Sequence, residues 1–319
     1  MFTLSQGVES DRLKGERGME LAAEHVVNIT HPEKVLWPDS GLRKIDLIEY
    51  YVSISPYLLR HLKDRPITMI RCPDGVDKHH FYQKNAPVPT PEWVTIVDVP
   101  SDGKTDVLHT VIVDSVATLL WLGNLGCIEI HIGFNHYQSP VSPEWLAFDL
   151  DPSVPGFDRV VRVALALHEL LERLSLPHVA KTSGATGLQV FVPLAPGHTY
   201  VETRVFSEAV ARYMQTVLPN DVTLERLTKQ RGHKVYFDYM QHGQGRTLIA
   251  PYSPRATRYA SVSTPVSWAE LQQGAKPEDF TLPIVPRRIE ALGDLFWFGE
   301  RVDLHPTVRF LRRHGSLEG

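Results

Sequence analysis

Trp145-Leu-Ala-Phe-Asp149-Leu-Asp151-Pro152 sets two carboxylates, one leucine apart, at the end of an otherwise apolar run. Side chains alternate between faces along a β-strand, so Asp149 and Asp151 point one way while Phe148 and Leu150 point the other. Two carboxylates aimed at one spot repel and raise each other's pKa, which favours a strand that holds a cation there. The natural occupant is a hard divalent metal with oxygen ligands. The pair alone leaves two other readings open: solvated aspartates before a proline turn, and the Asp-x-Asp of a glycosyltransferase using a nucleotide sugar.

Downstream, residues 157–174 space Val160, Val161, Ala164, Leu167, Leu170, Leu171 and Leu174 as one face of a helix, which Ser175-Leu-Pro177 stops. Lys181-Thr-Ser183-Gly184-Ala-Thr-Gly187-Leu-Gln189 then reads as a glycine-bearing turn entering an apolar strand. Such a turn frees backbone N–H groups to form an anion nest, with a serine hydroxyl beside it, although an ordinary tight turn uses glycine too. A third acid, Asp238, lies in the apolar strand-like segment 234–240, where acids are rare unless paired or bound to metal. Arg231 or Lys234 is the alternative partner for it.

Upstream, residues 44–62 form an amphipathic helix ending before Asp64-Arg65-Pro66. Residues 67–71 and 78–84 make a hairpin carrying Phe81 and Tyr82, and residues 93–99 a further strand. A helix is expected over 111–124, ended by Gly126. Alternation through 127–132 puts Cys127, Glu129 and His131 on one face, the polar one.

With 319 residues, 43% hydrophobic and 22% charged, the composition is that of a globular protein with a large core. Its apolar runs are broken by polar residues, so no membrane partner is expected. Cys72 and Cys127 match neither a disulfide framework nor zinc spacing, which fits a reducing cytoplasm. The charged start of the chain lacks the apolar centre of a secretory signal. Net charge is −4, yet residues 225–259 hold seven Lys or Arg against two acids, a local surface that could meet a polyanion.

These segments, in this order, resemble the polymerase domain of bacterial DNA ligase D and its stand-alone relatives, in the archaeo-eukaryotic primase superfamily used in non-homologous end joining. The resemblance runs from about residue 30 to 297 and is carried by His31-Pro-Glu-Lys34-Val-Leu-Trp-Pro38, Tyr50-Tyr51, Arg65-Pro66, Phe81-Tyr82-Gln-Lys84, residues 121–131, Phe148-Asp-Leu-Asp-Pro152, Lys181-Thr-Ser-Gly184 and Ala250-Pro-Tyr-Ser253-Pro-Arg255. It implies a mixed α/β, primase-type fold with an RRM-like antiparallel sheet bearing the aspartates, packed on an N-terminal α/β portion. It divides the chain into an arm over 1–24, one catalytic domain over 25–300 and a tail over 301–319.

The resemblance also implies a DNA-directed nucleotidyltransferase that extends or fills DNA ends and prefers ribonucleotides. Asp149, Asp151 and Asp238 would hold two Mn²⁺ or Mg²⁺ ions while a primer 3′-hydroxyl attacks the nucleotide α-phosphate. His131, Ser183, Gly184, Gly187, Arg231, Gln241 and Arg255 would meet the NTP or dNTP. Lys34, Lys44, Arg71, Phe81, Tyr82 and Lys84 would meet DNA, the lysines 34 and 44 at the 5′-phosphate of the end and the aromatics by stacking. Expected partners are DNA ends, a Ku-type end-binding protein and a separate DNA ligase, since no ligase or phosphoesterase segment is seen. The protein would be a nucleoid-associated monomer able to pair across a break.

A non-catalytic end-bridging protein is the alternative. Two departures stand out: the family usually has lysine where Thr186 stands and histidine where Gln189 stands. Arg246 or Arg258 is expected to compensate for the missing lysine.

Overall fold

The structure, a computed structural model, describes residues 25–100 and 106–315, and of the first residues only the backbone of 2–3, which pairs with Asn28–Ile29. The rest of the arm expected over 1–24 lies outside the described residues. In chain order, helix α1 (Lys44–Leu62) leads to strands β1 (Ile67–Arg71) and β2 (Phe81–Gln83), and helix α2 (Val116–Asn124) to β3 (Cys127–Gly133) and β4 (Trp145–Pro152). Helix α3 (Phe157–Arg173) precedes β5 (Val179–Thr182) and β6 (Leu188–Pro193); helix α4 (Tyr200–Val217) precedes β7 (Val222–Thr223), β8 (Val235–Asp238) and β9 (Thr247–Ile249). Last come β10 (Pro265–Val266) and helices α5 (Trp268–Gln272), α6 (Val285–Leu292) and α7 (His305–His314).

One sheet has the spatial order β7-β8-β4-β6-β5-β10, antiparallel except for the parallel β7–β8 pair. The other, antiparallel throughout, has the order β9-β3-β1-β2. This is the mixed α/β fold expected, with the aspartates on the antiparallel pair β4–β8 of the larger, mostly antiparallel sheet. Helix α3 covers the larger sheet, burying Val160, Val163, Ala164, Leu167, Leu170 and Leu171 on its 3.6-residue stripe, while Phe148 and Leu150 point into the core from β4. The core is completed by α1 and α2, whose close approach depends on Gly123: a Cβ there would lie 2.8 Å from Ile48 Cδ1. Among the described residues no helix is long and apolar enough to cross a membrane.

Three local expectations shift. Helix α2 begins at Val116, not at 111 as expected; Val111 closes a strand over 107–111 that pairs with Ile96–Pro100, and this pairing moves the strand expected over 93–99 by a few residues. Ser115 sets the helix start, its hydroxyl accepting the Thr118 amide at 3.2 Å. The strand expected over 78–84 is confined to β2. Beyond residue 300, the Val302 amide bonds the Pro193 carbonyl at 3.0 Å and α7 buries Val308 and Leu311 beside α4. Both cysteines are free and buried, Cys72 just after β1 and Cys127 opening β3.

Residues 250–255 cross between the sheets. The Ala250 amide donates to the Ile130 carbonyl, the Ile130 amide donates to Ser253 Oγ, and the Ser263 amide to the Ser253 carbonyl, all at 2.8–2.9 Å. From α1, the Tyr50 hydroxyl fastens this crossing by donating to the Tyr252 carbonyl at 2.6 Å.

Candidate active site

Antiparallel partners directly opposite one another present their side chains on the same face. Strand register therefore lays one polar row across the larger sheet: Asp238 of β8 opposite Asp149 of β4, Asp149 opposite Gln189 of β6, and Gln189 opposite Lys181 of β5. Asp151, two residues on, shares that face. The row is hydrogen-bonded: the Gln189 amide donates to Asp149 Oδ1 at 3.0 Å, and the Lys181 ammonium donates to Gln189 Oε1 at 2.5 Å and Ser263 Oγ at 2.6 Å. The Gln241 amide N–H donates to Asp238 Oδ1 at 2.8 Å, while its side chain is turned to the Thr247 carbonyl.

Burial and the charge of Asp151 push the Asp149 carboxyl up to about 8, against the Gln189 hydrogen bond. Burial and Asp238 push Asp151 up as well, with Arg231 and Arg255 pulling the other way. Burial also drives the Lys181 ammonium well below its ordinary value. The protein's own cations thus under-neutralise Asp149 and Asp151, and with Asp238 on the same face the row offers hard oxygen donors of the kind Mg²⁺ or Mn²⁺ takes.

Beside the row lies the glycine turn. Gly187 runs past Asp151 so closely that a Cβ would sit 2.8 Å from Asp151 Oδ1 and 2.7 Å from the Leu150 carbonyl oxygen. Ser183 Oγ accepts the amides of Ala185 (3.2 Å) and Gly187 (3.0 Å), which leaves its own hydrogen free to donate outward. Gly184, at φ +72°, lies beneath Arg255, whose Cγ would be 2.6 Å from an added Cβ.

Arg255 reaches from there to the other sheet, donating to Glu129 Oε2 at 3.0 Å. That carboxylate also meets His131 Nε2 at 2.8 Å and accepts the Ala256 amide at 3.0 Å. Burial alone would push Glu129 up, but the His131 hydrogen bond, Arg255 and the Ala256 amide outweigh it and hold its carboxyl below the ordinary value. Glu129, Lys181 and Gln189 were not among the expected site residues. The polar face of 127–131 and the family departure at Gln189 were two of the signals, and the Lys181-Thr-Ser-Gly184 motif was the third.

Arg231 stacks on Tyr236 at 3.8 Å and donates to the Glu225 and Arg226 carbonyls, near enough for its charge to act on Asp151. The residues expected at DNA fall into two groups. On the smaller sheet, Arg71 stacks over Phe81 at 5.0 Å and bonds Gln83, and the half-exposed Tyr82 ring meets His131 edge-on at 6.4 Å. Lys84 lines a cavity of about 460 Å³ with Thr68, Gly133, Arg246 and Thr247, outside the carboxylate row. Lys34 and Lys44 form the second group. Lys34 bonds Asp74 at 2.6 Å, and the Lys44 ammonium donates to the Thr30 and Asn124 carbonyls at 2.8 and 2.9 Å. Burial and the Lys34 charge lower the Lys44 pKa. Arg258 pairs with Asp39 at 3.0 Å.

The family model described as LigD, primase-polymerase domain, matches residues 43–296. The bifunctional non-homologous end joining protein LigD of Bacillus subtilis is 36% identical over 273 residues, covering 85% of this chain and 44% of that protein. The multifunctional non-homologous end joining DNA repair protein LigD of Mycobacterium tuberculosis is 32% identical, covering 91% of this chain and 39% of that protein. The chain thus spans less than half the length of these curated relatives. The solved polymerase domain of Mycobacterium tuberculosis ligase D in complex with DNA superposes with a TM-score of 0.78 at 29% identity, over 84% of this chain and 96% of that one. In sequence and in fold, the chain belongs to the LigD primase-polymerase domain family, a family of nucleotidyltransferases.

Proposed function

We propose that this protein extends or fills DNA ends during non-homologous end joining by transferring nucleotides to a primer 3′-hydroxyl, with ribonucleotides preferred. The half-buried carboxylate row is the observation that carries this reading. Asp149, Asp151 and Asp238 would hold two Mn²⁺ or Mg²⁺ ions, which supply the hydroxyl's acidity and offset charge on departing pyrophosphate. Ser183 donates its free hydrogen to a triphosphate oxygen, and Arg255, held over Gly184, adds a charge-assisted bond. His131, braced by Glu129, faces the incoming nucleotide, with Gln241 and Arg231 at the other edge of the site.

Phe81 and Tyr82 offer rings on which template bases stack, next to Arg71 and Lys84. Lys34 and Lys44, close enough for their charges to interact, suit the 5′-phosphate of a DNA end, which would take the place of Asp74 at Lys34. A Ku-type protein would recruit the chain to the end, a separate ligase activity would seal it, and two monomers could meet across a break near the nucleoid.

The test is a gapped DNA with a downstream 5′-phosphate, Mn²⁺, and each NTP or dNTP in turn. Wild type should extend the primer, faster with NTPs, and Asp149→Ala or Asp238→Ala should abolish extension while DNA binding remains. Binding without extension by the wild type would leave an end-bridging protein, and extension surviving Asp149→Ala would remove the metal assignment.

A further inference from the structure

Two histidine clusters away from the carboxylate row each bring three donor side chains within 4.8 Å of one another among the described residues. In the first, every side chain is already engaged through one atom, although the buried His198 Nδ1 has no hydrogen-bond partner. His198 Nε2 accepts the Leu304 amide at 3.1 Å, Glu202 accepts the Thr199 amide and hydroxyl at 3.0 and 2.9 Å, and His305 Nδ1 lies 2.6 Å from Asp303. Those contacts cap α4 and fasten α7, which gives the cluster a structural role.

The second cluster, His168, Glu172 and His178, sits where α3 ends and the chain turns into β5. The His178 side chain is 1% exposed, and its Nδ1 lies 2.7 Å from the Leu176 carbonyl. A carbonyl only accepts, so Nδ1 carries the hydrogen and Nε2 presents a lone pair. That lone pair faces His168 Nδ1 at 2.7 Å. Trp268 of α5 stacks flat on the His168 ring, 4.2 Å between centroids and 11° between planes, and fixes its orientation. Glu172, one helical turn after His168, is 65% exposed with an oxygen 4.0 Å from His168 Nδ1, the nitrogen that faces His178. The neighbouring Arg173 is turned away to the Tyr213 hydroxyl, and the groups acting on His178 include no lysine or arginine.

We propose that His168, Glu172 and His178 form a second metal site, for a borderline divalent ion of the Zn²⁺ type. Two imidazole nitrogens and one carboxylate oxygen, with water in the fourth position, are a zinc-like set, whereas Mg²⁺ and Mn²⁺ favour the all-oxygen row. The His178 hydrogen bond to a backbone carbonyl is the support that metal-bound imidazoles commonly have. The ion replaces the hydrogen between the two rings. His168 stays neutral by carrying its hydrogen on Nε2, and the nitrogens part to about 3.3 Å, as two Zn–N bonds of about 2.0–2.1 Å in a tetrahedron require. Bound there, the ion clips α3 to the head of β5, the strand that delivers Lys181 and leads into Ser183.

The experiment uses the full chain carrying Asp149→Asn and Asp238→Asn, so that the carboxylate row does not compete, titrated with Co²⁺ and then Zn²⁺. One equivalent of Co²⁺ should show the intense visible absorption of a four-coordinate ion and be displaced by one equivalent of Zn²⁺. Glu172→Gln, at an exposed position, should weaken binding about tenfold or more. His168→Asn should abolish the absorption and the rise in unfolding temperature on adding Zn²⁺. A pale six-coordinate spectrum, or a Zn²⁺ response that survives His168→Asn and Glu172→Gln, would overturn the site; neither outcome bears on nucleotidyl transfer.

Discussion

Glu129 stands behind two side chains proposed to meet a nucleotide, and its single carboxylate holds His131 and Arg255 at once. Glu129→Gln keeps the shape and removes the charge that both need. Bonds to a charged group contribute about 1.5–3 kcal/mol, so the apparent KM for nucleotide should rise about tenfold or more, with a smaller change in kcat, in steady-state primer extension. An unchanged KM would mean that neither side chain meets the nucleotide. Asp149, Asp151 and Asp238 were legible in the sequence because a charge in an apolar, alternating segment violates the pattern around it. Glu129 and Lys181 were less so. What defines Glu129 is a contact with Arg255, 126 positions away, and Lys181 is defined by the strand register that seats it beside Gln189. Period-two alternation gives a face and no partner.

At the scale of elements, β4 and β6 approach so closely at the glycine turn that the pairing admits no side chain at residue 187. Gly187→Ala should push β6 off the Leu150 carbonyl and displace Asp151, with a loss of about 1–3 kcal/mol in urea unfolding, of the order seen for overpacked cores. Extension should fall more than stability does, since Asp151 is the nearer casualty. Helices α1 and α3 could be read from their apolar stripes and their stops. The start of α2 could not, because Val, Ile and Leu in a short run suit either period, and Ile96–Pro100 pairing alongside claims residues 107–111 for a strand.

Across the whole molecule, Asp294 ties two distant parts of the chain to its own segment. It lies 2.9 Å from His61 Nε2 of α1, and it accepts the Tyr252 hydroxyl of the inter-sheet crossing at 2.7 Å and the Phe296 amide at 2.9 Å. Burial pushes its carboxyl up, but the bond to His61 and those from Tyr252 and Phe296 outweigh this and leave its pKa depressed. A depressed acid stabilises the fold above its unfolded pKa, about 3.9, and ceases to do so as pH falls through the lower folded value. Asp294→Asn should therefore unfold at lower urea at neutral pH, by about 1.5–3 kcal/mol, and converge with the parent in acid. A constant gap across that range would place the effect elsewhere. Cys127, inside the sheet that bears Phe81 and Tyr82, and Cys72, just after its strand β1, are both buried, and burial pushes both thiols up, Cys72 to about 11. A protonated thiol out of reach meets iodoacetamide only when its surroundings open. Native protein should resist alkylation, and the rate at which label accumulates under mild denaturant should time the opening of the smaller sheet, a stopwatch that requires no engineered residue.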